Sequence, residues 1–223
     1  MKKALFNLPV LTTAAFSIAA TLVIVAVVFA DEPEGPTLLL DEPWAVPDFS
    51  VTDHKGNTIT RESMLGKVWV CDFFLTRCNG VCPILGLKMA QTTERLSKDQ
   101  VFDGVELVSF SVDPEHDTRQ VLKDYRAKNF ELWDKGDEAL RAELEARWVH
   151  ARAEEKEAFW ETVREGFKLH VGPASPNDQT TPIAHSRRFV LVGPKGSIRG
   201  VYDAYSDEEL VTMIGDIRRL VNE

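Results

Sequence analysis

The 223-residue chain has little cysteine: three residues, Cys71, Cys78 and Cys82. So small a count rules out a disulfide-built scaffold, and stability has to come from a buried apolar core. Nucleotide-cradling glycine loops after a strand are absent, as are a Ser-His-Asp order, an internal repeat and a low-complexity segment. Basic clusters are missing too. With 26 Lys and Arg against 35 Asp and Glu the net charge is −9, which argues against a nucleic-acid partner. Long apolar runs are confined to one place, Ala4 to Ala30, with Lys2 and Lys3 before it and Asp31, Glu32 and Glu34 after it. That pattern predicts a transmembrane anchor over 1–30, with the N-terminus cytoplasmic and the remainder on the extracytoplasmic, periplasmic side. The rival reading is a cleaved signal peptide ending at "VFA". Residues 31–46, acidic and carrying Pro33, Pro36 and Pro43, read as a linker, and 47–223 as a single domain.

What the domain does contain is an alternation of strand and helix signals. "PDFSVTDHKGNTIT" reads as an N-terminal β-hairpin around the "DHKG" turn, with His54 exposed there. Lys67–Leu75 is a near-continuous apolar run suited to a strand buried on both faces, and Gly104–Val112 is a second. Helical patterns follow each of them. From Glu131 to Gly166 the chain reads as a charged helical insertion, with Trp148, Phe159, Trp160 and Phe167 packing beneath it. "VGPASPNDQTTP" reads as a loop. A hairpin about "GPKG" and an amphipathic helix capped by Ser206 close the chain. This order predicts an α/β fold, a mixed sheet flanked by helices on both faces. A site in such a sheet lies beyond the carboxyl ends of its central strands, where Cys78 falls.

Cys78 and Cys82 lie at a strand end and the start of a helix. Free backbone N–H groups there favour a thiolate, and Arg77 adds positive charge. In an oxidising compartment two such thiols form a disulfide unless a reductant or a metal holds them apart. Two thiolates suit Cu(I), and adding an imidazole suits Cu(I) or Cu(II). A simple disulfide brace fits the spacing as well. Cys71, mid-strand, reads as a packed hydrophobe, and His116 as solvated. His150 and His170 are minor candidates for a second metal contact.

"DFFLTRCNGVCPILGLKM", "SFSVDPEHDT" and "AHSRRFVLVGPKGSIRGVYD" together resemble the Sco/SenC family over roughly residues 46–220. Asn79 stands where that family usually has proline. The resemblance implies a thioredoxin-like fold and a membrane-tethered copper protein whose ligands are Cys78, Cys82 and His185, with Asp113 close to the site. It implies delivery of copper to the dicopper site of cytochrome c oxidase subunit II, or reduction of that site's cysteines. A protein reductant for the thiols follows from either role. Two other readings stay open: a thiol–disulfide oxidoreductase working through Cys78 and Cys82 without copper, and a redox or copper sensor.

Overall fold

The computed structural model describes residues 37–98, 104–134 and 136–223. Among these described residues, ten strands and five α-helices follow in chain order. The N-terminal part holds β1 (Trp44–Ala45), β2 (Ser50–Asp53), β3 (Thr58–Thr60), β4 (Val68–Phe74), α1 (Cys82–Lys98), β5 (Val105–Ser111), α2 (Arg119–Trp133) and α3 (Glu138–Arg147). The rest comprises β6 (Trp148–Arg152), α4 (Lys156–Glu161), β7 (Val171–Pro173), β8 (Ile183–His185), β9 (Arg188–Val192), β10 (Ser197–Asp203) and α5 (Asp207–Val221).

Eight strands form one mixed sheet in the order β1-β10-β9-β4-β5-β6-β2-β3, and β7 and β8 form a separate two-stranded ribbon. The β4–β5 and β5–β6 pairs are parallel and the others antiparallel. All seven residues of β4 are buried, as its unbroken apolar run requires of a strand covered on both faces. Trp69, Cys71 and Phe73 join Phe110, Phe159 and Phe167 in one core cluster. Val68 and Val70 join Leu85, Met89, Met213 and Ile217 of α1 and α5 in the other. Each such side chain, fully buried, contributes about 1.5–3 kcal/mol. Gly86 lets α1 approach Trp133 closely, since a Cβ there would overlap the indole.

The hairpin of β2 and β3, the buried strands β4 and β5, the β9–β10 hairpin and the Ser206-capped α5 agree with their sequence patterns. Gly196 supplies the left-handed residue of the "GPKG" turn, at φ +70°. Three expectations are corrected. The stretch read as helical throughout contains β6, which pairs parallel with β5 in register Ser109↔His150. Trp148 and Phe159 are buried as expected, but Trp148 is a strand residue. The loop read at 171–182 begins with a strand, β7.

The third concerns the spacer expected over 31–46, which from Thr37 onward is docked instead. Leu40 N–H donates to Arg199 O (2.7 Å), β1 pairs with β10, and Trp44 Nε1 donates to Gly166 O (2.9 Å). Buried Val46 and half-buried Trp44 gain more by covering the core than an acidic, Pro-containing stretch gains by staying extended in water. The anchor expected over 1–30 lies outside the described residues. Among those described, no helix is long and apolar enough to cross a membrane.

Candidate metal centre

β4 runs from the sheet centre into the turn that carries Cys78, and α1 starts at Cys82. Both thiols are free, and both are buried, at 3% and 1% exposure. The turn is therefore a closed corner of the core. Residues on the far side of the chain complete it. Asn79 N–H donates to Thr180 O (2.9 Å), which ties the 174–182 loop to the cysteine turn. That loop leads into β8, paired with β7 in register His185↔Val171, and β8 ends on His185. The His185 Nε2 lies 3.1 Å from Cys82 Sγ.

Nδ1 of His185 lies 3.0 Å from Ser186 O, an acceptor only, so it carries the ring proton. The Nε2 lone pair is then directed at the sulfurs. A backbone carbonyl holding the remote nitrogen is a familiar way of orienting an imidazole ligand. The donor atoms of Cys78, Cys82 and His185 all lie within 4.8 Å of one another. Two sulfurs and one imidazole nitrogen make a soft donor set, suited to copper and poorly matched to magnesium or calcium.

The two thiols share one proton. A hydrogen bond from Cys82 holds the Cys78 thiol far below its ordinary value, to about 3, against the opposing effect of burial. The backbone N–H groups of Cys82 and Gly80 add to the lowering. The same bond, with burial and the Cys78 charge, pushes the Cys82 thiol up beyond its ordinary range. Of the pair, Cys78 is the more acidic member. The N–H groups at the helix start act as the sequence position predicts.

The charge of Arg77 is matched by Asp113, to whose Oδ2 its Nε donates (2.6 Å). Asp113 is buried at 1% exposure and does not cap the following helix, whose cap is Thr118, accepting from Val121 N–H (3.3 Å). Asp113 reaches the cysteine turn through Arg77, one residue from Cys78. A second group of donors, Asp113, His116 and Asp117, also lies within 4.8 Å. Its oxygens are already engaged. Asp117 accepts from Thr76 N–H (3.1 Å), Thr76 Oγ1 (2.5 Å) and Ser111 Oγ (2.6 Å).

Cys71 is fully buried, and desolvation raises its thiol well above the usual range, so it packs as a hydrophobe. His116 is exposed as expected. His150 is sealed in the core with its Nδ1 3.0 Å from Arg126 Nη1, and His170 is exposed; neither joins the donor cluster. His54, expected to be exposed in its turn, is buried at 6% against β6 because its backbone N–H donates to His150 O (2.8 Å). Sequence reasoning missed Asp72. It lies in β4, is buried, accepts a hydrogen bond from Ser109 Oγ, and is raised to about 6 by desolvation. An acid inside an otherwise apolar strand was the signal available.

A protein-family model described as SCO1/SenC matches residues 40–222. The SCO1 protein homolog of Bacillus subtilis (strain 168) is 28% identical over 178 residues, covering 78% of this chain and 82% of that protein. Two solved structures share the fold. BsSco, described as a member of the Sco family of cytochrome c oxidase assembly proteins with a disulfide switch, superposes with TM-score 0.67 at 24% identity, over 83% of this chain and 98% of its own. ScoI of Bradyrhizobium japonicum with copper bound gives TM-score 0.60 at 20% identity, over 79% of this chain and 99% of its own. The mixed sheet flanked by helices is thus the thioredoxin-like arrangement of those proteins.

Proposed function

The chain belongs to the SCO1/SenC family, and on that premise we propose that it binds copper through Cys78, Cys82 and His185 and serves cytochrome c oxidase assembly. The finer reading is delivery of copper to the dicopper site of oxidase subunit II, from a domain held on the extracytoplasmic side by residues 1–30. One observation carries it: two free thiols converge with Nε2 of a histidine 103 residues beyond Cys82. The copper-bound state of the Bradyrhizobium relative supports the choice of metal.

Cys78 is the more acidic of the two thiols. Binding a second sulfur requires Cys82 to lose its proton, so metal uptake releases a proton at this pair. His185 brings a neutral donor, and its Ser186 contact fixes the ring so that no tautomer change is needed. Transfer then proceeds by exchange of thiolates between donor and acceptor sites, with copper as cargo. A third protein-supplied arm limits loss of the ion to water.

The pairing of one thiolate with one thiol also favours a reductase role on the oxidase cysteines. Cys78 thiolate would attack a disulfide sulfur, forming a mixed disulfide and expelling one thiolate. Cys82, giving up its proton, would attack Cys78 Sγ, form the Cys78–Cys82 disulfide and expel the second thiolate. Two electrons pass to the substrate, and a thiol reductant protein must restore the pair.

The test is copper stoichiometry and affinity of the full-length chain, reduced and anaerobic, beside His185→Ala and Cys78→Ser. One tightly held copper per chain, weakened by each substitution, is expected. Absence of specific copper binding, with disulfide reduction intact in His185→Ala, would overturn the chaperone reading and leave the redox enzyme.

A further inference from the structure

Away from the cysteines, where α2 and α3 pack against β6, lies a cleft of about 340 Å³. Arg126 of α2 lines it, although only 6% of the residue is exposed. A buried guanidinium is ordinarily matched by a carboxylate. Among the described residues Arg126 has none within ion-pair distance. Its Nη1 donates to Trp148 O and lies 3.0 Å from His150 Nδ1, and its carbon sits 4.4 Å from the Phe130 ring centroid. Those contacts occupy one nitrogen, and the charge is offset only at longer range, by Glu145 and Asp53. Nε and Nη2 have no protein acceptor among the described residues.

The rest of the lining is of the same sign. Lys55, Lys123 and Arg141 join Arg126, against the single carboxylate of Glu145. Arg141 is paired with Asp134, and Lys55 Nζ reaches only the Glu145 carbonyl (3.5 Å). Lys123 has no ion pair among the described residues. His54 adds a neutral donor. Its Nδ1 accepts from His150 N–H (3.4 Å), which leaves the ring proton on Nε2. Burial and the Arg126 charge hold His54 down to about 4, and Arg126, lowered by burial to about 10, still carries its charge at neutral pH. This concentration of positive charge stands out in a chain of net charge −9.

We propose that this cleft is a binding site for a small anion bearing a carboxylate or phosphate group, held by the free edge of Arg126 and flanked by Lys55 and Lys123. The planar fork of a guanidinium suits either oxyanion, and in a half-closed cleft such a contact is screened less than on open surface. The Phe130 ring gives the cleft an apolar wall, which suits a short organic body behind the charged group. The site shares no residue with Cys78, Cys82 or His185, so the proposal stands or falls apart from the copper reading.

The test is calorimetric titration of the full-length chain with inorganic phosphate and, separately, with succinate, at low and high salt. Saturable binding of at least one probe is expected, and which probe wins identifies the headgroup. Lys123→Glu, a change at an exposed side chain, should weaken that binding about tenfold or more while leaving copper stoichiometry unchanged. Arg126→Met should abolish it; should that variant fail to fold, Lys123→Glu carries the test. No saturable binding of either probe up to about 10 mM, or equal binding by wild type and Lys123→Glu, would overturn the proposal.

Discussion

Two histidine environments lie on separate sheets and have opposite characters. At the end of β8, His185 meets a thiolate and a thiol, its free lone pair directed at sulfur. In the middle of β6, His150 meets Arg126, and its Nδ1 lone pair is consumed by that guanidinium. The first environment is electron-rich and soft, the second cationic and hard. They differ in burial, His185 being half-buried and His150 sealed at 1% exposure, and they differ more in what surrounds them. The neighbours decide: an imidazole can serve as a ligand where its lone pair has no protein donor, and packs where it has one.

That contrast is broken most severely by Trp148→Ala. Trp148 stacks on Trp133 and Phe130 at centroid distances of 5.0 and 5.5 Å and donates from Nε1 to Ser109 Oγ (2.9 Å). Its loss should destabilise the domain by about 3–5 kcal/mol, read by urea unfolding. Copper stoichiometry measured under native conditions should stay at the wild-type value, since the cysteine turn lies on a different strand.

Asp72→Asn sharpens the comparison from between the two regions, because Ser109 Oγ links Asp72 to Trp148. Asp72 is held at about 6 in the fold against an ordinary 3.8. The folded protein therefore binds this proton more tightly than the unfolded chain does. Its penalty is absent below about pH 4, grows as pH rises toward 6 and is complete above that. Asparagine keeps an acceptor for Ser109 and removes the charge. The variant should be more stable at pH 7 by up to about 3 kcal/mol, with the gain vanishing below about pH 4. Unfolding midpoints across pH 3.5–8 check it, and a gain that persists at the acid end would show that desolvation of Asp72 is not its source.

Ser206→Ala tests the stability of the cysteine-bearing side from a distance. It removes the acceptor for Glu209 N–H (3.2 Å) and should cost about 1 kcal/mol, seen as a small fall in denaturation midpoint. His116→Ala should do least. The ring is exposed and borders the closed Asp117 network, so stability should shift by no more than about 0.5 kcal/mol and copper affinity not at all. A marked loss of affinity would instead draw the Asp113–Asp117 loop into the metal centre.

These two environments were unequally legible in the sequence. Strands β4 and β5 announce themselves as unbroken apolar runs, and α5 by its cap and its periodic apolar face. The cysteine pair shows by spacing alone. His185 does not: nothing local distinguishes it, and only the resemblance of "AHSRRFVLV" to a family motif singles it out. The β6 environment was hidden for a physical reason. "WVHAR" is five residues long, lies directly after a charged helix and carries a histidine and an arginine, so its period of two is too short to stand against the helical pattern around it. His54 followed it into error. A turn histidine reads as exposed unless the strand that covers it is known, and that strand is β6. The docked segment 37–46 was misread because its composition suits a linker, while its pairing with β10 is a contact more than 150 residues away in sequence.

His185 sits on the short β7–β8 ribbon, which is not a member of the eight-stranded sheet, whereas both sulfurs belong to a turn anchored at the sheet's central strand. The donor set is thus split between a fixed jaw and a lighter one. Lifting three residues of β8 would change the denticity from three to two and leave the main hydrogen-bonded sheet intact. A grip built this way can be tight at rest and still open along a single low-cost coordinate when a competing sulfur arrives.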